Sequence, residues 1–292
     1  MANNNLKIFV RTHGGLGNQI FQYCFGRSLS LSTKRSFVLD TRPLEKNARF
    51  PFGLGHFNIT REVLGGLLPP QRKGQRLKYF LYGQLGLLPE LIVERGLAFN
   101  NRLSLPNKDV YLDGYWQSER YFSDVAETIR EDLRIITPPS PENATHLAAI
   151  ATCPAVSLHV RRGDYLTPKH QAYHGSCSMD YYAKALEFVA SRMTAEPIIY
   201  VFSDEPEWAR DNLTLPFQKR VMAHNDSANS YEDMRLMSAC RHHIIANSTF
   251  SWWGAWLNPS PDKIVVAPQR WFADPKVDNP DIVPDGWHRI AG

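Results

Sequence analysis

The chain has 292 residues, 43% hydrophobic and 21% charged, an ordinary globular composition and enough for one large or two medium α/β domains. Its net charge of +4 suits an anionic ligand, but no long basic stripe with interleaved aromatics is present, which argues against a nucleic-acid partner. No run approaches the roughly 20 apolar residues of a membrane helix, and the polar Met1–Asn5 with its short apolar sequel is unlike a secretory leader, so a transmembrane segment is not expected and only peripheral membrane association is left open.

Leu6–Val10 reads as a strand, and Gly14-Gly15-Leu16-Gly17-Asn18-Gln19 as a glycine loop. Ile20, Phe21, Cys24, Phe25 and Leu29 follow at the spacing of an amphipathic helix. Phe37–Leu39 is the next strand. Residues 41–110 are rich in Gly and Pro, including Pro69-Pro70, and predict loops and short helices that shape a substrate cleft. The basic tract Arg72–Lys78 within them reads as a solvated loop or helix face. Pro138, Pro139 and Pro141 mark a boundary near 137–150, dividing an N-terminal domain, 1–145, from a second, 146–292.

Beyond it the pattern is regular. Strands are expected at Ala155–Val160, Ile198–Phe202, Ile244–Ala246 and Ile264–Val266, and helices at Tyr181–Met193, Tyr231–Ala239 and Ser248–Leu257. This alternation predicts a parallel sheet with helices on both faces. Cys24, Cys153, Cys177 and Cys240 are scattered, with no C-x-x-C, and read as free thiols of a cytoplasmic protein.

Three segments carry the chemistry. His159-Val160-Arg161-Arg162-Gly163-Asp164-Tyr165 stands where a buried strand emerges. Ligands of open α/β sheets bind just outside the carboxyl ends of strands, and the arginine fork matches phosphate oxygens. Arg161 and Arg162 are therefore a candidate diphosphate clamp, against the plainer reading of an exposed basic turn. The loop Gly14–Gln19 is neither a P-loop nor a dinucleotide fingerprint. Gly15 and Gly17 let backbone approach a ligand, or the loop is a tight turn with Asn18 as helix N-cap. In the third segment Asn247-Ser248-Thr249 opens a helix, which suits phosphate or simple capping. Trp252, Trp253 and Trp256 read as core, and His242-His243 lacks a nearby carboxylate or cysteine at ligand spacing, so no metal site is expected there. No D-x-D triplet occurs to hold a metal on a diphosphate, which leaves that work to fixed cations.

GGLGNQIFQY, HVRRGDY, YVFSDE and DMRLMSACRHHIIANSTFSWWGAWL together resemble the α-1,2-fucosyltransferase family, glycosyltransferase family eleven, in bacterial-type form. The resemblance implies a GT-B-like α/β fold, with two Rossmann-like domains and a cleft between them. It implies inverting transfer of fucose from GDP-fucose to O2 of a galactoside, with no metal cofactor. By it the second domain binds the GDP-sugar and the first lies on the acceptor side. Arg161 and Arg162 fall beside the diphosphate, His159 and Asp233 at the guanine end, and Asn247, Ser248 and Thr249 near phosphate. Asn18 reaches the reacting carbon. Asp164 is the first candidate for general base, with His13, Asp204 and Glu205 as alternatives. A non-catalytic glycan-binding protein, or a transferase of another linkage or GDP-sugar, are the competing classes.

Overall fold

The computed structural model describes residues 6–45, 50–60, 82 and 88–292. The Arg72–Lys78 tract and Pro69-Pro70 lie outside the described residues. The chain divides into two compact units, Met1–Arg134 with Pro280–Ile282, and Ile135–Asn279 with Val283–Gly292.

The first unit is built on a parallel sheet of order β2-β1-β4-β3, from β1 (Lys7–Arg11), β2 (Ser36–Asp40), β3 (Glu90–Val93) and β4 (Val110–Asp113). Side chains alternate across it. Phe9 clusters with Val38, Tyr111 and Leu91 on one face. On the other, α1 (Leu16–Thr33) packs so closely at Gly26 that an added Cβ would stand 2.5 Å from Val10. The expected amphipathic stripe is absent from the first half of α1: from Leu16 to Gly26 every residue but Asn18 is buried. The polar members Gln19 and Gln22 tolerate this because they bond loop backbone, as described below. Residues 41–110, expected to be loops and short helices, contain α2 (Arg42–Glu45) and a 3₁₀ turn at Leu54–His56, but also strand β3.

The second unit holds β5 (Ala155–Val160), β6 (Ile198–Ser203), β7 (Lys219–Met222), β8 (His242–Ile244), β9 (Val265–Pro268) and β10 (His288–Ile290). All pair in parallel, in the order β10-β9-β8-β5-β6-β7. Counted from β5 this is 3-2-1-4-5-6 read from β7, the doubly wound order of dinucleotide-binding folds. The winding order reverses between β5 and β8, which makes the carboxyl ends of those two parallel strands the switch point. In the first unit the corresponding place lies between β1 and β4.

The sheet is covered on both faces, so its central strands β5 and β8 are buried throughout, with Ser157, His159, His242 and His243 as their polar members. Val156, Leu158, Val160, Ile199 and Val201 pack with Tyr181, Tyr182, Leu186 and Val189 of α6 (Met179–Ala190). Ala155, Tyr200 and Phe202 face Ile150 of α4 (Pro141–Ala151) and Leu236 and Met237 of α8 (Ser230–Ala239). Helix α4 occupies the proline-rich stretch that suggested a boundary, and residue 145 lies inside it. Pro141 is its first residue, where the preset φ helps and the missing N–H costs nothing. Ser140 caps it, its Oγ accepting from Asn143 N at 3.2 Å. The other α-helices with described bounds are α3 (Ala126–Asp132), α5 (Pro168–Tyr173), α7 (Pro206–Asn212) and α9 (Thr249–Leu257).

Candidate active site

The switch point of the second unit gathers two of the three sequence segments. Alternation along β5 turns His159 to the same face as Ala155, toward α9, where its Nδ1 lies 2.9 Å from Ser251 Oγ. Ser251 donates to Ser248 O at 3.3 Å, so His159 Nδ1 carries the proton and Nε2 is the acceptor. Burial first, then the Arg161 charge, push this histidine down to about 3, and it is neutral at pH 7.

Immediately after β5, each arginine meets a carboxylate from the end of β6. Arg161 Nη1 lies 3.2 Å from Asp204 Oδ2, and Arg162 Nε donates to Glu205 Oε2 at 3.2 Å. The Arg162 amide donates to Asp204 Oδ1 at 3.0 Å, tying the two strand ends together. Both guanidinium groups also lie over rings: Arg162 is 3.5 Å from the Trp208 centroid and Arg161 5.4 Å from that of Tyr165. Gly163 is demanded here by close approach, since a Cβ would meet Asp204 Oδ2 at 2.4 Å. Asp164 stands in the 3₁₀ turn Gly163–Leu166, and its side chain lies outside the described residues.

From β8 come Asn247, Ser248 and Thr249. Asn247 is a buried staple: Nδ2 donates to His174 O at 2.9 Å and Trp271 O at 3.2 Å, while its own carbonyl accepts from Tyr165 Oη at 3.3 Å. Ser248 is the N-cap of α9, its Oγ accepting from Phe250 N at 3.3 Å. Thr249 is the first residue of that helix, whose free N–H groups and dipole favour an anion. Trp252, Trp253 and Trp256 are buried core. His243 is buried between Ser157 Oγ at 2.8 Å and Asn258 Nδ2 at 2.9 Å, and His242 Nδ1 accepts from Ile264 N, so both histidines serve packing.

Asp233 sits on α8, and its Oδ1 accepts from Asn225 Nδ2 at 2.7 Å. Burial raises its carboxyl to about 7, against the lowering effect of the Asn225 bond. Sequence reasoning did not anticipate the supporting chain: Asn225 in turn exchanges bonds with buried Asn143 of α4 at 2.9 and 3.1 Å. Nor did it assign Trp208 a role; an aromatic within a turn of Asp204-Glu205 was the available signal.

In the first unit, the loop after β1 is held by amides. Gly14 takes φ +79°, the left-handed region that suits glycine. Gln19 Nε2 donates to Gly14 O and Pro51 O, both at 2.9 Å, and its Oε1 accepts from Gly53 N at 3.0 Å. Gln22 bridges His13 N at 2.9 Å to Gly114 O at 3.2 Å, joining the ends of β1 and β4. The N-cap is Gly15, not Asn18; Asn18 stands in the first turn of α1, where it accepts from Gln117 Nε2 at 2.9 Å. Gly17 is buried in the same turn. His13 packs on Tyr115, 4.8 Å between centroids, and is lowered to about 4 by burial, then by Arg11, with Asp113 opposing. Trp116 is core, stacked on Phe25 at 4.3 Å, and Tyr111 donates to buried Asp40 at 2.6 Å.

Two parallel α/β units, one with paired arginines at its switch point, define a GT-B-type glycosyltransferase. The chain belongs to glycosyl transferase family 11, whose family model matches residues 95–291. It is 36% identical to the O-antigen biosynthesis glycosyltransferase WbnK of Escherichia coli, over 89% of this chain and 93% of that protein. It is 32% identical to an alpha-1,2-colitosyltransferase of Escherichia coli, over 97% and 98% respectively. Galactoside alpha-(1,2)-fucosyltransferase 1 of Ateles belzebuth is 27% identical over 84% of this chain and 63% of its own length. Among solved structures, that of Arabidopsis thaliana FUT1 in complex with GDP shares the fold, with a TM-score of 0.51 and 13% identity, covering 96% of this chain and 72% of that one. No described helix is long and apolar enough to cross a membrane, and all four cysteines are free.

Proposed function

We propose that this fucosyltransferase-family enzyme transfers L-fucose from GDP-fucose to the 2-OH of a terminal β-galactoside, with inversion and without a metal. The observation that carries the proposal is the pair Arg161 and Arg162 at the switch point, beside the N-terminus of α9. The relatives' names support the linkage, an α-1,2 bond, and O-antigen biosynthesis as the setting; a galactose-terminated acceptor of the cell-surface polysaccharide class and a cytoplasmic location are our own reading.

In an inverting transfer the acceptor oxygen attacks the anomeric carbon in line as the bond to the β-phosphate oxygen breaks. Negative charge grows on the leaving diphosphate. Arginines already fixed by Asp204, Glu205, Tyr165 and Trp208 stabilise that charge without reorganising, an effect worth roughly 3–4 kcal/mol per well-placed donor. The α9 N-terminus at Ser248 and Thr249, with Asn247 holding its loop, adds a second positive potential. His159 Nε2 and the near-neutral Asp233 carboxyl suit the N–H edge of guanine. Asp164 takes the proton from the acceptor hydroxyl, since Asp204 and Glu205 are engaged with the clamp. Within the first unit, Gly15, Gly17 and Asn18 are the residues we assign to sugar recognition, through backbone and an amide. No metal is required because the fixed cations occupy its electrostatic role.

The deciding experiment is incubation with EDTA, GDP-fucose and a panel of β-galactosides, followed by linkage analysis. An α-1,2-fucosylated product at undiminished rate is expected. A requirement for Mn²⁺ overturns the metal-free mechanism, and tight glycan binding without GDP binding replaces the enzyme by a glycan-binding protein. A second donor deserves the same assay. Because the colitosyltransferase matches more of the chain at higher identity than the fucosyltransferase does, a colitosyl donor should be run beside GDP-fucose, and the larger kcat/KM names the sugar.

A further inference from the structure

One cluster of ligating side chains lies outside the site just described. Glu142 and His146 stand one helical turn apart on α4, and His224 follows β7, two strands away from the arginine pair. One ligand atom from each lies within 4.8 Å of the others. The His146 and His224 rings are nearly parallel, 22° between planes with centroids 4.9 Å apart.

The hydrogen bonds decide which nitrogen of His224 is available. Asn143 Nδ2 donates to Asn225 Oδ1 and to Ser140 Oγ, both at 2.9 Å, which fixes Asn143 Oδ1 as an acceptor. His224 Nε2, 2.8 Å from that oxygen, is therefore the donor, and Nδ1 carries the lone pair. Nδ1 points to Glu142 Oε1 at 3.8 Å. That is too long for a hydrogen bond, but it is a separation that two metal–ligand bonds of ~2.1 Å can span. A buried amide that orients a histidine from behind is the usual support of a metal ligand. Burial, then His224, hold His146 below its ordinary value, with Glu142 opposing and Arg220 adding to the lowering. The neighbouring cation, Arg220, donates to the Tyr200 hydroxyl at 3.2 Å and still acts on His146 through its charge.

We infer that Glu142, His146 and His224 form a binding site for one divalent transition-metal ion of the Zn²⁺ type. Two neutral imidazoles and one carboxylate, with a water, complete a tetrahedral shell, and this mixed donor set disfavours Mg²⁺ and Ca²⁺. Its place is structural: it would fasten α4 to the β7–α8 connection, whose Asn225 holds Asp233.

The test uses the metal-stripped full chain and reads binding rather than transfer, so its outcome is independent of the transferase reading. Zn²⁺ should bind at one equivalent and raise the melting temperature by about 5 °C or more at saturating metal, whereas Mg²⁺ should not. Co²⁺ should give the visible absorption of a four-coordinate site. His146→Ala should abolish both signals, and Glu142→Gln should weaken Zn²⁺ binding at least tenfold while the metal-free melting temperature of this surface variant stays near wild type. A Zn²⁺ shift that persists unchanged in both variants, or no shift and no Co²⁺ spectrum in the wild-type chain, overturns the site.

Discussion

Arg11 and Arg42 in the first unit, and Arg161 and Arg162 in the second, all stand at the carboxyl ends of parallel strands, yet they are held differently. Arg11 Nη1 lies 2.9 Å from both oxygens of Asp113, and Arg42 takes the two oxygens of Asp40 at 2.7 and 2.6 Å. Those carboxylates are fully engaged by their arginines, and what lines the β1 loop is neutral: Asn18, Gln19, Gln22 and Gln117. Arg161 and Arg162 each meet one carboxylate oxygen at 3.2 Å, beyond the 2.7–2.9 Å usual for charge-assisted bonds. The same sheet topology thus ends in amides in one unit, suited to a neutral polyhydroxyl ligand, and in an adjacent pair of positioned cations in the other, suited to a diphosphate.

The contrast can be broken most directly at the clamp. Arg161→Ala and Arg162→Ala should lower kcat/KM for GDP-fucose by about 100-fold or more at the residue that contacts phosphate. Near-wild-type kinetics in both would erase the distinction between the units. Gln19→Ala should act on stability instead. It removes the amide partner of Gly14 O, Pro51 O and the Gly53 N–H in a half-buried loop, at a cost of about 1–2 kcal/mol in urea unfolding. GDP affinity should be unchanged, and a parallel loss of GDP binding would mean that the amide loop is not confined to a neutral ligand.

Asp233 sharpens the comparison through pH. Its folded-state value near 7 lies above that of the unfolded chain, so between about pH 4 and 7 the folded protein keeps a proton that the unfolded chain has released. The contribution is fully present below pH 4 and is lost as pH rises toward 7. Asp233→Asn should therefore flatten the decline in melting temperature between pH 5 and 8, by about 3 °C or more; parallel curves would refute the shift. The smallest effect is expected at Lys184, whose exposed pair with Asp180 should be worth no more than about 0.5 kcal/mol. Lys184→Ala that lost more, by urea unfolding, would show that charge anywhere on the second unit is costly.

What was legible in the sequence follows burial. Strands β5 and β6 are buried between helices, so their apolar runs announce them. Strands β3, β7 and β10 are sheet edges; Glu90, Lys219 and Arg289 interrupt any apolar run in segments only three or four residues long, as suits exposed edges. Interior β4 was too short to stand out, with Val110, Tyr111 and Leu112 its only buried positions. The arginine pair was readable because Arg161-Arg162 leaves a readable strand. Its carboxylate partners were not, since Asp204 and Glu205 reach it only through the pairing of β5 with β6. Gln19 and Gln22 were invisible for a different reason: glutamine in a helix carries no mark of whether its amide faces water or a buried loop.

The bond between His159 and Ser251 joins residues 92 positions apart. During synthesis at about 5–20 residues per second, the arginine pair is made roughly 5–20 s before the helix N-terminus that shares its switch point. Loop closure over such a distance precedes any reward from the contact. Nascent chains should thus pass through a long interval in which β5 has emerged but its switch point is incomplete, and the interval ends only when α9 leaves the ribosome.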